Sequence, residues 1–261
     1  MLYAFLRLLG KQNNMRPQLI LVAALAILSC KKDVKQETSV QSIIDSAIVK
    51  SGGERFKESK VSFVFRNRKY TSYYMDGQKI LERYTSLDSN MIADKKSNTG
   101  FERFINDSLV SLPDSLKTRY ANSVNSVHYF SKLPFGLNDK AVNKEYLGEE
   151  LINETAYYKV KVTFDQEGGG DDFDDTYLYW FNQETMLPDF LAYDFHVDGG
   201  GQRFREAYNE RYINGIRFVD YNNYKPKQKG SDLMDIAQLF ASGNLDLLSK
   251  IELEDIEVVE N

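Results

Sequence analysis

Residues 202–226 read QRFREAYNERYINGIRFVDYNNYKP. At the centre, Asn214-Gly215 stands between Ile213 and Ile216. Both turn residues tolerate positive φ, and a pair of this kind between β-branched neighbours is a strong short-range hairpin signal. The spacing predicts antiparallel strands over 202–213 and 216–225, with Tyr208 opposite Tyr221. Upstream, FHVDGGGQRF (195–204) has the same layout as FDQEGGGDDF (164–173). Two predicted strands, 176–182 and 187–197, lie between the triplets, so a meander puts both glycine loops at one edge of the sheet.

Charge predicts a register for the second glycine hairpin. If Phe195 opposes Phe204, Asp194 meets Arg205 and His196 meets Arg203. A shift of one residue would set Asp194 against Glu206, an unfavourable like-charge pair. This register predicts an aromatic wall of Leu191, Tyr193, Phe195, Phe204, Tyr208, Tyr212, Val219 and Tyr221. The opposite face then carries Asp194, His196, Arg203, Arg205, Arg211, Asp220 and Asn222.

Outward from these hairpins the pattern stays mainly β. In YYKVKVTF (157–164), Tyr158, Val160, Val162 and Phe164 share one side, while Tyr157, Lys159, Lys161 and Thr163 share the other. That alternation predicts a half-buried antiparallel strand with its lysines in water. Further strands are predicted over 61–66, 69–75, 78–85, 101–105, 109–112 and 250–259. A helix over 42–50 groups Ile43, Ile44, Ala47 and Ile48 and stops at Gly52-Gly53. A second opens at Pro113-Asp114, with Leu116, Tyr120, Val124, Val127 and Phe130 as its buried stripe. A short third spans 231–241, capped by Ser231. Helices that appear singly, without regular alternation, predict an α+β fold built on antiparallel sheet and exclude parallel βαβ architectures.

A chain of 261 residues is long enough for one sizeable domain, and 17 Tyr and 16 Phe against one Trp suit pleated surfaces. The apolar run 19–28 (LILVAALAIL) follows Arg16 and precedes Ser29-Cys30. It is too short to cross a bilayer and suits a signal peptide, with Met15 an alternative start. Ile27-Leu28-Ser29-Cys30 resembles the lipobox of bacterial lipoproteins. The expected organisation is a signal peptide over 1–29, a lipidated tether over 30–40 and one domain over 41–261. Lipidation of Cys30 would attach the protein to a membrane, and Lys31 after it, by resemblance to lipoprotein sorting rules, favours the outer membrane. Cleavage before Cys30 removes Arg7, Lys11 and Arg16 and no acid, taking the net charge from −5 to −8. An acidic chain is poorly suited to nucleic acid, whose binding depends on neutralising phosphates.

Chemistry is thinly signalled. Asp171, Asp172, Asp174 and Asp175 sit in the first glycine loop and could offer oxygen ligands to Ca²⁺, but their spacing is not that of an EF-hand and also suits a solvated acidic loop. No helix is predicted after the first triplet, so no dinucleotide cofactor is expected. HExxH, GxSxG and GxxxxGK[ST] motifs are absent from the sequence. His196 with Asp194, Arg203 and Arg205 is the candidate acid–base cluster, although a charged strand face would produce the same set.

YYKVKVTFDQEGGG (157–170), YWFNQET (179–185), the run 199–226 and NSVNSVHYFSKLPFGLND (122–139) together resemble a Bacteroidota lipoprotein family classed as a domain of unknown function. A deoxyribose-phosphate aldolase label sometimes given to such relatives implies a (β/α)₈ barrel, which the strand and helix order here excludes. The order of helix, long antiparallel strands, inserted helix and further strands is similar to that of LolA-like lipoprotein carriers. That resemblance implies an open half-barrel wrapped over a few helices, with an apolar cavity for acyl chains. The expected function is then a lipid-anchored envelope module that binds an acyl chain or another apolar ligand. Tyr193, Phe195, Phe204, Tyr208 and Tyr221 would be its ligand-binding residues. The alternatives are an envelope enzyme acting on an anionic substrate through His196, Arg203 and Arg205, and a structural or interaction lipoprotein whose core is filled.

Overall fold

The Ser39 hydroxyl accepts the Ser42 N–H at 3.1 Å and so caps α1 (Val40–Lys50). Ile43, Ile44 and Ala47 of that helix are fully buried. The structure, a computed structural model, describes residues 39–167, 173–196 and 199–260, all in one compact unit. The expected signal segment, residues 30–38 of the expected tether with Cys30, Asp171, Asp172 and the first glycine triplet lie outside the described residues, while Ser39 and Val40, expected in the tether, cap and open α1 instead. Among those described, no helix is long and apolar enough to cross a membrane.

After α1 and a single-turn helix, α2 (Arg55–Glu58), six strands form a meander. They are β1 (Ser59–Phe65), β2 (Arg68–Met75), β3 (Gln78–Leu87), β4 (Asn90–Ser97), β5 (Gly100–Ile105) and β6 (Ser108–Val110). Their turns are two residues long, and Arg66-Asn67, Asp76-Gly77, Asp88-Ser89 and Asn106-Asp107 all sit at positive φ, as tight hairpins require. β4 (NMIADKKS) does not read as a strand in the sequence because its central side chain is charged. Asp94 is nevertheless 1% exposed, with Arg83 at 2.6 Å and Arg103 at 2.6 Å on the flanking strands. The two guanidinium groups offset the cost of burying the carboxylate.

α3 (Asp114–Ser131) follows, then β7 (Val142–Ile152), β8 (Thr155–Phe164), β9 (Tyr177–Asn182), β10 (Pro188–Phe195), β11 (Gly201–Ile213) and β12 (Ile216–Pro226). A 3₁₀ turn, α4 (Ile236–Ala241), β13 (Leu245–Ile251) and β14 (Glu254–Glu260) complete the described chain. The strand expected over 250–259 is therefore two. β13 ends one seven-stranded sheet, ordered β13-β12-β11-β10-β9-β8-β7. β14 starts the other, ordered β14-β1-β2-β3-β4-β5-β6, by pairing with β1. Every pairing is antiparallel and neither sheet closes on itself, so the protein is α+β and mainly open antiparallel sheet, as predicted.

α3 lies between the two sheets. Val124 and His128 face the first sheet, where the imidazole packs edge-on to Phe63 and Tyr70 and its Nε2 lies 3.0 Å from the Glu82 carbonyl. Burial, reinforced by Lys132, lowers the His128 pKa to about 3. Tyr129 and Phe130 face the second sheet, against the inner side chains of β8 to β12. The predicted stripe on this helix omitted His128, because a histidine gives no apolar signal.

The second sheet is covered on both faces, which corrects the half-buried reading of 157–164. Its outer side holds Leu178, Trp180, Ala192 and Phe204 fully buried beneath Ile236, Ala237 and Phe240. Lys159 is 7% exposed there, with its Nζ donating to the Met234 carbonyl at 2.8 Å and pairing with Glu150 at 3.0 Å. The predicted helix over 231–241 begins instead as a 3₁₀ turn capped by Asp232, while the Ser231 hydroxyl bonds Gln202 at 2.8 Å.

Both predicted registers change. From the Asn214-Gly215 turn, Ile213 pairs with Ile216 and Arg211 with Phe218, as expected. Asn209 and Glu210 then oppose Val219 alone, a β-bulge with Asn209 at φ 51°, so Tyr208 meets Asp220 rather than Tyr221. Across β10 and β11, Phe195 opposes Gly201, Tyr193 opposes Arg203, Leu191 opposes Arg205 and Ala192 opposes Phe204. A Cβ on Gly201 would stand 3.2 Å from the Phe195 ring, so glycine leaves that ring its place across the strands. The offset differs from the predicted one by an odd number of residues, so β11 presents its arginines where its aromatics were expected.

Candidate functional site: a cavity between α3 and the second sheet

The inner faces of β9 to β12 and the C-terminal half of α3 line a half-open cavity of about 390 Å³. Tyr177 and Tyr193 supply one wall, with ring centroids 5.3 Å apart in a stacked pair. Phe130 from α3 packs on both, at 6.5 and 5.6 Å. Tyr129 hydrogen-bonds Tyr179 through their hydroxyls at 2.8 Å, and both phenol pKa values are pushed up by burial. Val219 and Tyr221 of β12 form the floor, and burial also raises the Tyr221 pKa.

Arg205 enters this aromatic box from β11 and is 7% exposed. Its guanidinium carbon lies 3.7 Å from the centre of the Phe130 ring and 5.2 Å from that of Tyr193. Nη2 donates to the Tyr193 hydroxyl at 2.9 Å, whereas Nε and Nη1 have no hydrogen-bond partner among the described residues. Arg203 lies nearer the glycine loop, stacked over Phe195 at 4.8 Å and donating to the Gln202 carbonyl at 2.8 Å. Arg66 and Asp175 also line the cavity.

The residues singled out in the sequence divide between the two faces. Tyr193, Phe195 and Tyr221 line the cavity. Phe204 and Tyr208 lie on the other face: Phe204 is fully buried, 4.7 Å from Phe240, and Tyr208 donates to Glu252 at 2.8 Å. Of the acid–base candidates, Arg203 and Arg205 reach the cavity. Asp194 points away with Gln202 and accepts the Thr176 N–H at 2.9 Å. His196 is mostly exposed, with Nδ1 at 3.2 Å from Asp175 and 3.7 Å from Asp174. The hydrogen bond to Asp175 is the main cause of its raised pKa. Asp174, Asp175 and His196 are close enough to share a metal ion, with ligand atoms within 4.8 Å of one another. Tyr129 and Tyr177 were missed. The alternation of YLYWF in β9 carries a signal for Tyr177, but a strand buried on both faces gives no polar side to orient it.

A profile of the family of unknown function DUF6503 matches residues 14–253. No curated protein matches the sequence significantly. Among solved structures, the fold is similar to a LolA superfamily protein from Nitrosomonas europaea, with a TM-score of 0.45 and 12% identity over 85% of this chain and 94% of that one. A DUF1329 family protein from Desulfovibrio piger matches with a TM-score of 0.44 and 11% identity, covering 84% of this chain and 92% of that one. Lipoprotein LppX of Mycobacterium tuberculosis matches with a TM-score of 0.28 and 11% identity over 63% of this chain and 91% of that one.

Proposed function

We propose that this chain, which belongs to the DUF6503 family, is an envelope lipoprotein that binds an acyl chain or a comparable apolar ligand in the cavity between α3 and the second sheet. The observation that carries the reading is the cavity itself: about 390 Å³ of space walled by Tyr129, Phe130, Tyr177, Tyr193, Val219 and Tyr221. Ligand sites are concave clefts of a few hundred Å³ lined by aromatic side chains with a few polar groups, and a half-open cavity of this size and lining favours a ligand over a filled core. Cys30 would tether the domain to a membrane.

The enzymatic alternative finds less support. His196 is engaged by Asp174 and Asp175, Arg203 by the Gln202 carbonyl and Phe195, and Arg205 by Tyr193 and Phe130. The three side chains thus take separate partners, whereas a general base needs the acid or the nucleophile within hydrogen-bond reach.

Native mass spectrometry of the full chain purified from envelope membranes tests the binding reading. A bound species of lipid mass is expected, and Val219→Trp, which fills the floor of the cavity, should remove it. Protein that carries no such adduct, and takes up none from added lipid, would overturn the proposal.

A further inference from the structure

Among the described residues, two side chains lining the cavity carry buried polar atoms without a partner: Asn223, whose Oδ1 lacks a donor, and Arg205, which it faces across β11 and β12 and which alone of the two bears a charge. Arg205 is more than nine-tenths buried, yet two of its three guanidinium nitrogens lack an acceptor. Removing a cation from water without pairing it is costly, and a buried guanidinium normally finds a carboxylate or several carbonyl oxygens. Here it finds one neutral hydroxyl, from Tyr193, and the face of Phe130. These contacts hold the group in place without neutralising it.

Its neighbours carry the same sign. Arg203 and Arg66 line the cavity too, against a single carboxylate among the described residues, Asp175, which accepts from His196 Nδ1 at 3.2 Å. The remaining wall mixes aromatic and aliphatic side chains with Asn125, Ser126, Ser131 and Asn223. A ring-rich chamber with a fixed, incompletely paired cation is suited to a molecule with one anionic end and one apolar body.

We infer that the ligand is an anionic amphiphile, a carboxylate or phosphate monoester on an apolar chain, whose head group accepts hydrogen bonds from Arg205 Nε and Nη1. The inference rests on the apolar-ligand reading of the same cavity and narrows it to one class of head group. Arg205 thus sets ligand specificity, and the Tyr193 hydroxyl orients it.

Titration calorimetry of the full chain with dodecanoate, dodecyl phosphate, dodecanol and inorganic phosphate, each below its aggregation limit, tests this. Dodecanoate and dodecyl phosphate should bind roughly tenfold to hundredfold more tightly than dodecanol, the range expected for hydrogen bonds to a charged group. Arg205→Met should remove that preference, read as the ratio of dodecanoate to dodecanol affinity within the one variant, while Arg205→Lys retains part of it. Equal binding of dodecanol and dodecanoate by the natural chain would overturn the inference while leaving the apolar-ligand reading intact. Inorganic phosphate binding as tightly as dodecyl phosphate would overturn both readings, because the apolar chain would then contribute nothing. If no amphiphile binds, both readings fall together. The four-probe comparison on the natural chain decides the matter even if the Arg205 variants do not fold.

Discussion

Arg205 and Phe130 meet with the guanidinium carbon 3.7 Å from the ring centre, and through this contact the helix between the sheets packs on β11 of the second sheet. Removing the ring should loosen that packing and enlarge the cavity together. Phe130→Ala is expected to cost about 2 kcal/mol, because the ring is only partly buried and loses packing plus one cation–aromatic contact. Denaturant unfolding gives the stability, and the same variant should accept a bulkier apolar ligand.

Phe204 distinguishes the two faces of β11. It is fully buried against Phe240, Phe190 and Trp180, away from the cavity. Phe204→Ala should therefore destabilise the protein by about 3–5 kcal/mol, as cavity-forming core substitutions do. Ligand affinity measured well below the unfolding midpoint should be unchanged. A large loss of affinity at full folding would contradict the observed register.

The bulge at Asn209 and Glu210 keeps Arg203 and Arg205 turned inward. Asn209 sits at φ 51° and its Nδ2 donates to Asp220 at 2.6 Å. Asn209→Ala loses that bond and strains the backbone, at a cost of about 2 kcal/mol. Asn209→Gly keeps the backbone relaxed and should cost less, which thermal melts of the two variants would show.

In the first sheet, Asp94 is held by Arg83 and Arg103 with almost no solvent access. Asp94→Asn leaves two guanidinium groups without their anion. A loss of about 3–5 kcal/mol is expected, read from chemical denaturation. The double variant Asp94→Leu with Arg83→Met should recover part of it, since replacing a buried pair by apolar groups is far less costly than breaking it.

His128 makes stability depend on pH. Its pKa falls from 6.5 to about 3 on folding, mainly through burial, with Lys132 next and Lys79 and Arg83 contributing. The unfolded chain therefore takes up the proton first, and stability present above pH 6.5 is lost as pH falls from there toward 3. The limiting slope is about 1.4 kcal/mol per pH unit. His128→Phe, which keeps the packing against Phe63 and Tyr70, should flatten the stability profile over that range relative to the natural chain. An unchanged profile would show that the imidazole is not the group responsible.

Local chemistry made much of this protein legible in its sequence. Asn214-Gly215, Asp76-Gly77 and the alternation of YYKVKVTF act within a few residues of themselves, so the hairpins, the antiparallel class and most strand positions could be read directly. The face on which each side chain lands could not. Charge complementarity between Asp194 and Arg205 suggested one register, but burial of Phe204 beneath α4 contributes more than an exposed ion pair, and α4 lies about thirty residues further along the chain. The bulge at Asn209 is equally invisible, since nothing in NERY distinguishes a paired residue from an extra one. Strand identity is set by the neighbours along the chain. Which side of the sheet becomes the cavity, and whether an arginine or a phenylalanine faces it, is decided only when distant helices cover both faces, because a side-chain period of two turns any odd slip into an exchange of faces.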